Sequence, residues 1–157
     1  NGYCMRLTQH ADFALRTLIF LGLKSPEQLS TIQEIAEAYQ VSRNHMMKVV
    51  SRLVAHHYVV SVRGAGGGIR LAKAPNEIHI GDVVQHMEPE DGLVECLREN
   101  NQCVITAACL LPGMLARARD AFTAELNKQT LQDILPFSRR HELSGLLNIS
   151  QAVKFES

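Results

Sequence analysis

Three of the four cysteines in this 157-residue chain, Cys96, Cys103 and Cys109, stand within fourteen residues at spacing C-x6-C-x5-C. A thiolate is a soft ligand suited to iron–sulfur clusters, zinc or Cu(I). Three of them in one short loop can converge on one metal centre and leave a position open for a ligand from elsewhere. Structural zinc sites usually pair cysteines two to four residues apart, and no such pair occurs here. A disulfide framework would leave one thiol of the three over. Free cysteines are commonly buried as small hydrophobes, but only Cys4 lies outside the cluster, which argues against three unrelated core residues. An iron–sulfur cluster is the chemistry that this spacing fits best.

The elements around that loop must say what a cluster would control. With 46% hydrophobic residues the chain can build an ordinary core, and wholesale disorder is not expected. No run of about 18 apolar residues occurs, so no membrane span is expected. No secretory leader is read at the start, and clustered free thiols point to a reducing cytoplasm. The four residues before Met5 read as an upstream remnant, and Cys4 is given no role. The net charge of zero conceals an asymmetry. From Met5 to Pro75 nine Lys and Arg oppose four Asp and Glu, a net of +5, whereas from Asn76 to Ser157 seven oppose twelve, a net of −5. A basic half joined to an acidic half suits one region that meets a polyanion and another that does not.

Thr8 is placed to cap a first helix reaching about Leu23, with Ala11, Ala14, Leu15, Leu18 and Ile19 on one apolar stripe. Asp12 and Arg16 lie off that stripe, one turn apart, where they could form a simple exposed pair. Ser30 to Gln33 reads as a capping box, opening a short helix over 32–39. Ser42 caps a second helix that carries Met46, Val49, Val50, Leu53 and Val54. Two short helices so closely joined form a helix-turn-helix. The β-rich run 58–62, a glycine-rich turn and Ile69–Leu71 predict a two-stranded hairpin after it. Together these make a winged helix. A further short helix is expected over 80–87, then a polar linker over 88–92 into the cysteine loop. Residues 114–127 read as one helix with Leu115, Ala118, Phe122 and Leu126 along a seam, suited to a core or to a second copy of the chain. Thr130 should cap a last short helix with Leu131, Ile134 and Leu135, and a poorly ordered tail is expected beyond Pro136.

In a helix-turn-helix the N-terminal residues of the second helix reach base edges in the major groove. Arg can bind guanine and Asn adenine bidentately there, although either could instead contact phosphate, which positions without specifying. The candidate DNA contacts are Arg16, Ser42, Arg43, Asn44, His45 and Lys48, with Arg63, Gly66 and Gly67 at the wing. Arg63 suits a minor groove or a phosphate. A phosphate-cradling nucleotide loop is excluded at Gly64–Gly68, because no Lys-Ser/Thr follows and a strand comes next. The remaining histidines show no metal-ligand spacing as a set.

A winged helix before a three-cysteine loop resembles a family of bacterial iron–sulfur transcription regulators, the IscR/NsrR family, over about 5–135. The residues carrying the resemblance are Met5-Arg-Leu-Thr8, Asp12, Leu15-Arg16, Val41-Ser-Arg-Asn-His45, Arg63-Gly-x-x-Gly-Gly, Ile80-Gly-Asp-Val83 and Ile105-Thr-x-Ala-Cys109. Members of the IscR subtype carry a His three residues after the third Cys, where this chain has Pro112. Nitric-oxide-sensing members carry an Asp in the first helix, which Asp12 matches, and Val41–Val49 looks like their recognition helix. The C-x6-C spacing exceeds the family's usual C-x5-C by one residue. The resemblance implies a homodimeric, nitric-oxide-responsive repressor of palindromic double-stranded operator DNA. It further implies a [4Fe–4S] cluster, with [2Fe–2S] as the alternative, held by Cys96, Cys103, Cys109 and Asp12 of the partner subunit.

The expected fold is mainly α: a winged helix-turn-helix domain with a two-stranded wing, plus a cysteine loop and a long dimerisation helix. The domain spans 5–75, with the helix-turn-helix over 32–55 and the wing over 58–72. A connecting helix and cluster loop follow over 76–112, dimerisation helices over 113–136 and the tail over 137–157. One rival function is a sensor of iron–sulfur status or oxidative stress on the same fold. Another is a small iron–sulfur redox protein or electron carrier, disfavoured by the missing C-x-x-C pair and by a complete DNA-reading module. No catalytic residues are expected.

Overall fold

The computed structural model describes residues 6–89 and 94–150. Cys4, Met5 and the later part of the polar linker, from residue 90, lie outside the described residues, as does the end of the tail. Thr8 accepts the backbone N–H of Ala11 at 3.2 Å and starts α1, Gln9–Leu23. Ala11, Ala14 and Leu18 on its inner stripe are fully buried. They pack with Ile35 and Ala36 of α2, Ile32–Ala38, and with Met46, Val49, Val50 and Leu53 of α3, Arg43–Ala55. Fully burying one of the larger of these side chains contributes roughly 1.5–3 kcal/mol, and the three helices form the centre of a core that continues into the wing and the helix Ile80–Met87. Within it the Thr17 hydroxyl donates to the Phe13 carbonyl at 2.7 Å and lies 3.2 Å from the Met46 sulfur.

The predicted hairpin is present. β1, Val59–Val62, pairs antiparallel with β2, Gly68–Leu71, in a register that sets Val59 against Leu71 and Val62 against Gly68. Tyr58, Val59 and Ile69 fix the wing to the helical core. At the tip, Gly66 has φ +74°, a left-handed conformation costly for any side chain, and a Cβ on Gly67 would lie 2.3 Å from the Val62 carbonyl oxygen.

Helix α4, Ile80–Met87, turns Ile80, Val83, Val84 and Met87 inward. It is joined at its N-terminus to the end of the long helix α5, Leu111–Leu126. Asn127 there accepts the Asp82 N–H at 2.9 Å and donates to the Asp82 carboxylate at 2.6 Å. The last helix, α6, Phe137–Leu146, rests on α1, where Arg140 donates to the Gly22 carbonyl at 2.7 Å. Among the described residues no helix is long and apolar enough to cross a membrane.

Four details differ from the sequence reading. The capping box of α2 sits one residue later, at Thr31 and Glu34. Ser30 is unavailable because its backbone is bridged to Ile69 of the wing and its side chain is buried. Helix α5 begins at Leu111 rather than Met114, because Pro112 falls in its first turn, where a missing N–H costs nothing. Residues 131–135 form turns, not a helix. Thr130 and Asp133 do cap each other, but Pro136 stops propagation after one turn. The expected poorly ordered tail instead contains α6 over 137–146, held by Leu143, Leu147 and the buried Ile149 against the core.

Candidate nucleic-acid interface and metal centre

The first turn of α3 is fixed from within: the Ser42 hydroxyl accepts the His45 N–H at 3.1 Å. Arg43, Asn44, Met47 and Lys48 are exposed on its outer side, whereas Met46, Val49 and Val50 face the core. This presents a guanidinium, an amide and an ammonium together, the donor set that meets base edges and phosphates. Arg43 also lines an open cleft of about 230 Å³ with Thr31, Gln33, Ser61 and Val62, between the start of α2 and the wing. Arg63 and Gly66 are exposed at the wing, with Gly67 half-buried behind them. His45 behaves differently from its neighbours. It is half-buried and packs edge-on against Phe13 of α1, ring centroids 5.0 Å apart at 88°.

Arg16 is engaged inside the chain. Its guanidinium meets both oxygens of the Asp12 carboxylate, at 3.0 and 2.8 Å, and lies over the rings of Phe13 and Tyr39. Tyr39 donates its hydroxyl to the Arg16 carbonyl at 2.9 Å. Burial pushes that phenol up to about 12, against the pull of the nearby guanidinium, so it remains a donor at neutral pH. Asp12 and Arg16 thus form the simple i,i+4 pair that the sequence allows, about half exposed.

The three cysteines lie on a short stretch between α4 and α5. Cys96 sits in a single 3-10 turn, Glu95–Leu97. Asn101 then organises the middle of the loop. Its side chain accepts the Cys103 N–H at 2.9 Å and donates to Thr106 at 2.8 Å, and the Thr106 hydroxyl donates to the Cys103 carbonyl at 2.8 Å. All three thiols are free and half-buried, and as a soft donor set they fit an iron–sulfur cluster. The chain alone does not draw them together: among the described residues no three His, Cys, Asp or Glu side chains are close enough to hold a metal ion. The loop is also unusually apolar on its outside, with Val104 96% and Leu110 84% exposed.

Glu88, read from the sequence only as linker, joins these regions. Its carboxylate accepts the Thr8 N–H at 2.8 Å and the Thr8 hydroxyl at 3.1 Å, and its carbonyl accepts Arg52 of α3 at 3.1 Å. One residue at the exit of α4 therefore ties the approach to the cysteine loop to the cap of α1 and to α3. Nothing local in the sequence marks it, because every one of these bonds is long-range.

Comparison with known proteins agrees with this arrangement. A family described as "Rrf2: Iron-dependent Transcriptional regulator" matches residues 7–136. The HTH-type transcriptional regulator NsrR of Bacillus subtilis (strain 168) is 43% identical over 148 residues, covering 94% of this chain and all of that protein. NsrR of Bacillus licheniformis is 45% identical over 132 residues, covering 83% of this chain and 92% of that protein. Among solved structures, CymR of B. subtilis, a global cysteine regulator, is 26% identical and superposes with a TM-score of 0.62 over 83% of this chain and 95% of its own. IscR of T. potens, 20% identical, shares the fold with a TM-score of 0.65 over 84% of this chain and 87% of its own.

Proposed function

The chain belongs to the Rrf2 family and is a transcriptional regulator of the NsrR/IscR type, and we propose that within it the protein is a cytoplasmic, homodimeric repressor that senses nitric oxide. The observation that carries this reading is the coexistence of a complete winged helix with three free thiols on the neighbouring loop. Cys96, Cys103 and Cys109 would hold an iron–sulfur cluster of the [4Fe–4S] type, and Asp12 of the partner subunit would supply a fourth, harder ligand. When bound, the cluster supplies iron that reacts with nitric oxide. A carboxylate binds such iron less firmly than a thiolate, which suits a position meant to exchange.

The chain's own residues then connect ligand and DNA. Recruiting Asp12 across a dimer interface takes it from Arg16, whose guanidinium becomes available to a DNA phosphate. Arg43, Asn44 and Lys48 present the reading face of α3, and Arg63 with Gly66 and Gly67 lets the wing approach the backbone closely. A second copy has an obvious seat: α5 buries none of its residues within one chain, and Leu115, Phe122 and Leu126 line its seam. Two α3 helices related by a two-fold axis would read a palindrome.

The test is anaerobic purification followed by absorption and Mössbauer spectra and by gel shift on duplexes selected from a random library. Cluster-loaded protein should shift a palindromic duplex, and stoichiometric nitric oxide should abolish the shift. A shift equally strong for loaded and cluster-free protein would remove the sensing role. Release by hydrogen peroxide but not by nitric oxide would reassign the signal to oxidative stress.

A further inference from the structure

Among the exposed-looking residues at the start of α3, His45 alone turns its side chain to the protein. At about 3.6 residues per turn, His45 lies roughly 200° around the helix from Arg43. Arg43, Asn44, Met47 and Lys48 form the outer side, and His45 shares the inner side with Met46, Val49 and Val50. Its N–H is already taken by the Ser42 cap. Its ring meets Phe13 perpendicularly at 5.0 Å, an arrangement that aromatic rings favour, and its centroid is 6.5 Å from that of His10. Phe13 in turn lies beneath the Arg16 guanidinium, 5.5 Å from the ring centre.

We propose that His45 is a positioning residue whose ring wedges the N-terminal turn of the recognition helix against α1 through Phe13, and that it reads no base itself. The wedge acts at the end of α3 that enters the groove. There a small change of tilt moves the Arg43 and Asn44 side chains by more than it moves anything deeper in the core. It also places the contact one residue from Asp12, so a displacement of the first turns of α1 is felt directly at the reading face. An imidazole suits the place because it offers an aromatic edge at a half-buried position.

The inference rests on α3 being the recognition helix, and that premise has its own control. Should Arg43→Ala leave binding to the selected duplex unchanged, the premise fails whatever His45 does. For His45 the informative pair is His45→Phe, which keeps the ring and loses the ring nitrogens, and His45→Asn, which keeps a hydrogen-bonding group and loses the ring. Both are measured by fluorescence anisotropy in the cluster-loaded full chain, on the selected duplex and on its single-position variants. Melting curves check that each variant is folded. His45→Phe should bind within about twofold of wild type, and His45→Asn should bind about 3–10-fold more weakly, the scale of one lost edge-to-face pair. Base preference should be unchanged at every position in both. Phe13→Leu should weaken binding similarly, and combining it with His45→Asn should cost little more, because the two share one contact. If His45→Phe binds as poorly as His45→Asn, or if preference relaxes at one base pair, the ring nitrogens are reading DNA and the proposal is overturned. It is equally overturned if both variants bind like wild type.

Discussion

Helices α3 and α5 are both amphipathic, yet one is finished within the chain and the other is not. The 13-residue α3 buries Met46, Val49, Val50 and Leu53. The longer α5, with 16 residues, buries none; Leu110 just before it and Met114 in its first turn are 84% and 57% exposed. A large exposed apolar patch marks a surface meant to be covered. The winged helix therefore sits on a continuous core that it shares with α4 and the segment around α6, whereas α5 is left with apolar side chains uncovered. In the switch proposed above, that difference puts the responding loop on the part of the chain with the least buried surface.

The sharpest way to break the comparison is to remove a thiol. Cys103→Ala should abolish stable cluster binding and cluster-dependent operator binding, while the melting curve of the cluster-free protein stays close to wild type. The thiol lies in a loop held by Asn101 and Thr106, not in the core. An iron-loaded Cys103→Ala protein with a wild-type absorption spectrum would take the triad out of the argument.

Next in size is a charge on the α5 seam. Phe122→Glu should shift the protein to monomer in sedimentation or light scattering, and operator affinity should fall at least as steeply as the loss of one half-site requires. Because α5 is fixed to α4 through Asn127 and Asp82, the winged helix should keep its own stability. A Phe122→Glu dimer as tight as wild type would place the dimer interface elsewhere.

Legibility in the sequence divides along the same line. Thr8 and Ser42 were readable as caps because capping is decided by a hydroxyl and the next three residues, and both make the expected bond. The box at α2 slipped by one residue because a non-local bridge to Ile69 claims Ser30, and no local signal reveals that. Helix α6 is not legible locally because its apolar anchors are Leu143, Leu147 and the following Ile149, too sparse a pattern to register as periodic, and its bond from Arg140 to Gly22 is long-range. The triad could be found from composition, but Glu88 and the inward turn of His45 could not, since they are consequences of packing between α1, α3 and α4.

A smaller effect is expected at Asp12, the proposed fourth ligand. Within one chain it forms only a half-exposed pair with Arg16, and such pairs contribute about 0.3–0.5 kcal/mol. Asp12→Ala should therefore hardly change the melting temperature of cluster-free protein. In the loaded protein it should alter the cluster's spectrum or hasten its loss, and lower operator affinity several-fold. A loaded Asp12→Ala protein of unchanged spectrum and lifetime would leave Glu95, Glu99, His86 or solvent as the fourth ligand.

The smallest effect concerns protons on α1, α3 and α4. Burial lowers the pKa of His10 below its ordinary 6.5, assisted by Arg52 and His45 and opposed by Glu88. Burial also lowers that of His56, assisted electrostatically by His86, Arg52 and His57. His56 stacks on the His86 ring at 4.5 Å, and His86 is itself bonded to the Tyr58 hydroxyl at 2.8 Å. Where a histidine's folded pKa is depressed, the unfolded chain holds more protons near and below the ordinary value, so stability rises with pH and is lost as pH falls through that range. Melting temperature should consequently drop as the pH is taken from about 7.5 to about 5.5. His56→Asn should make that drop shallower, and high salt should do so as well, because the charges facing His56 are partly screened. If the pH slope is the same in wild type and His56→Asn, the stacked pair is not where the protons are felt, and His10, on α1 facing His45 of α3, becomes the group to replace.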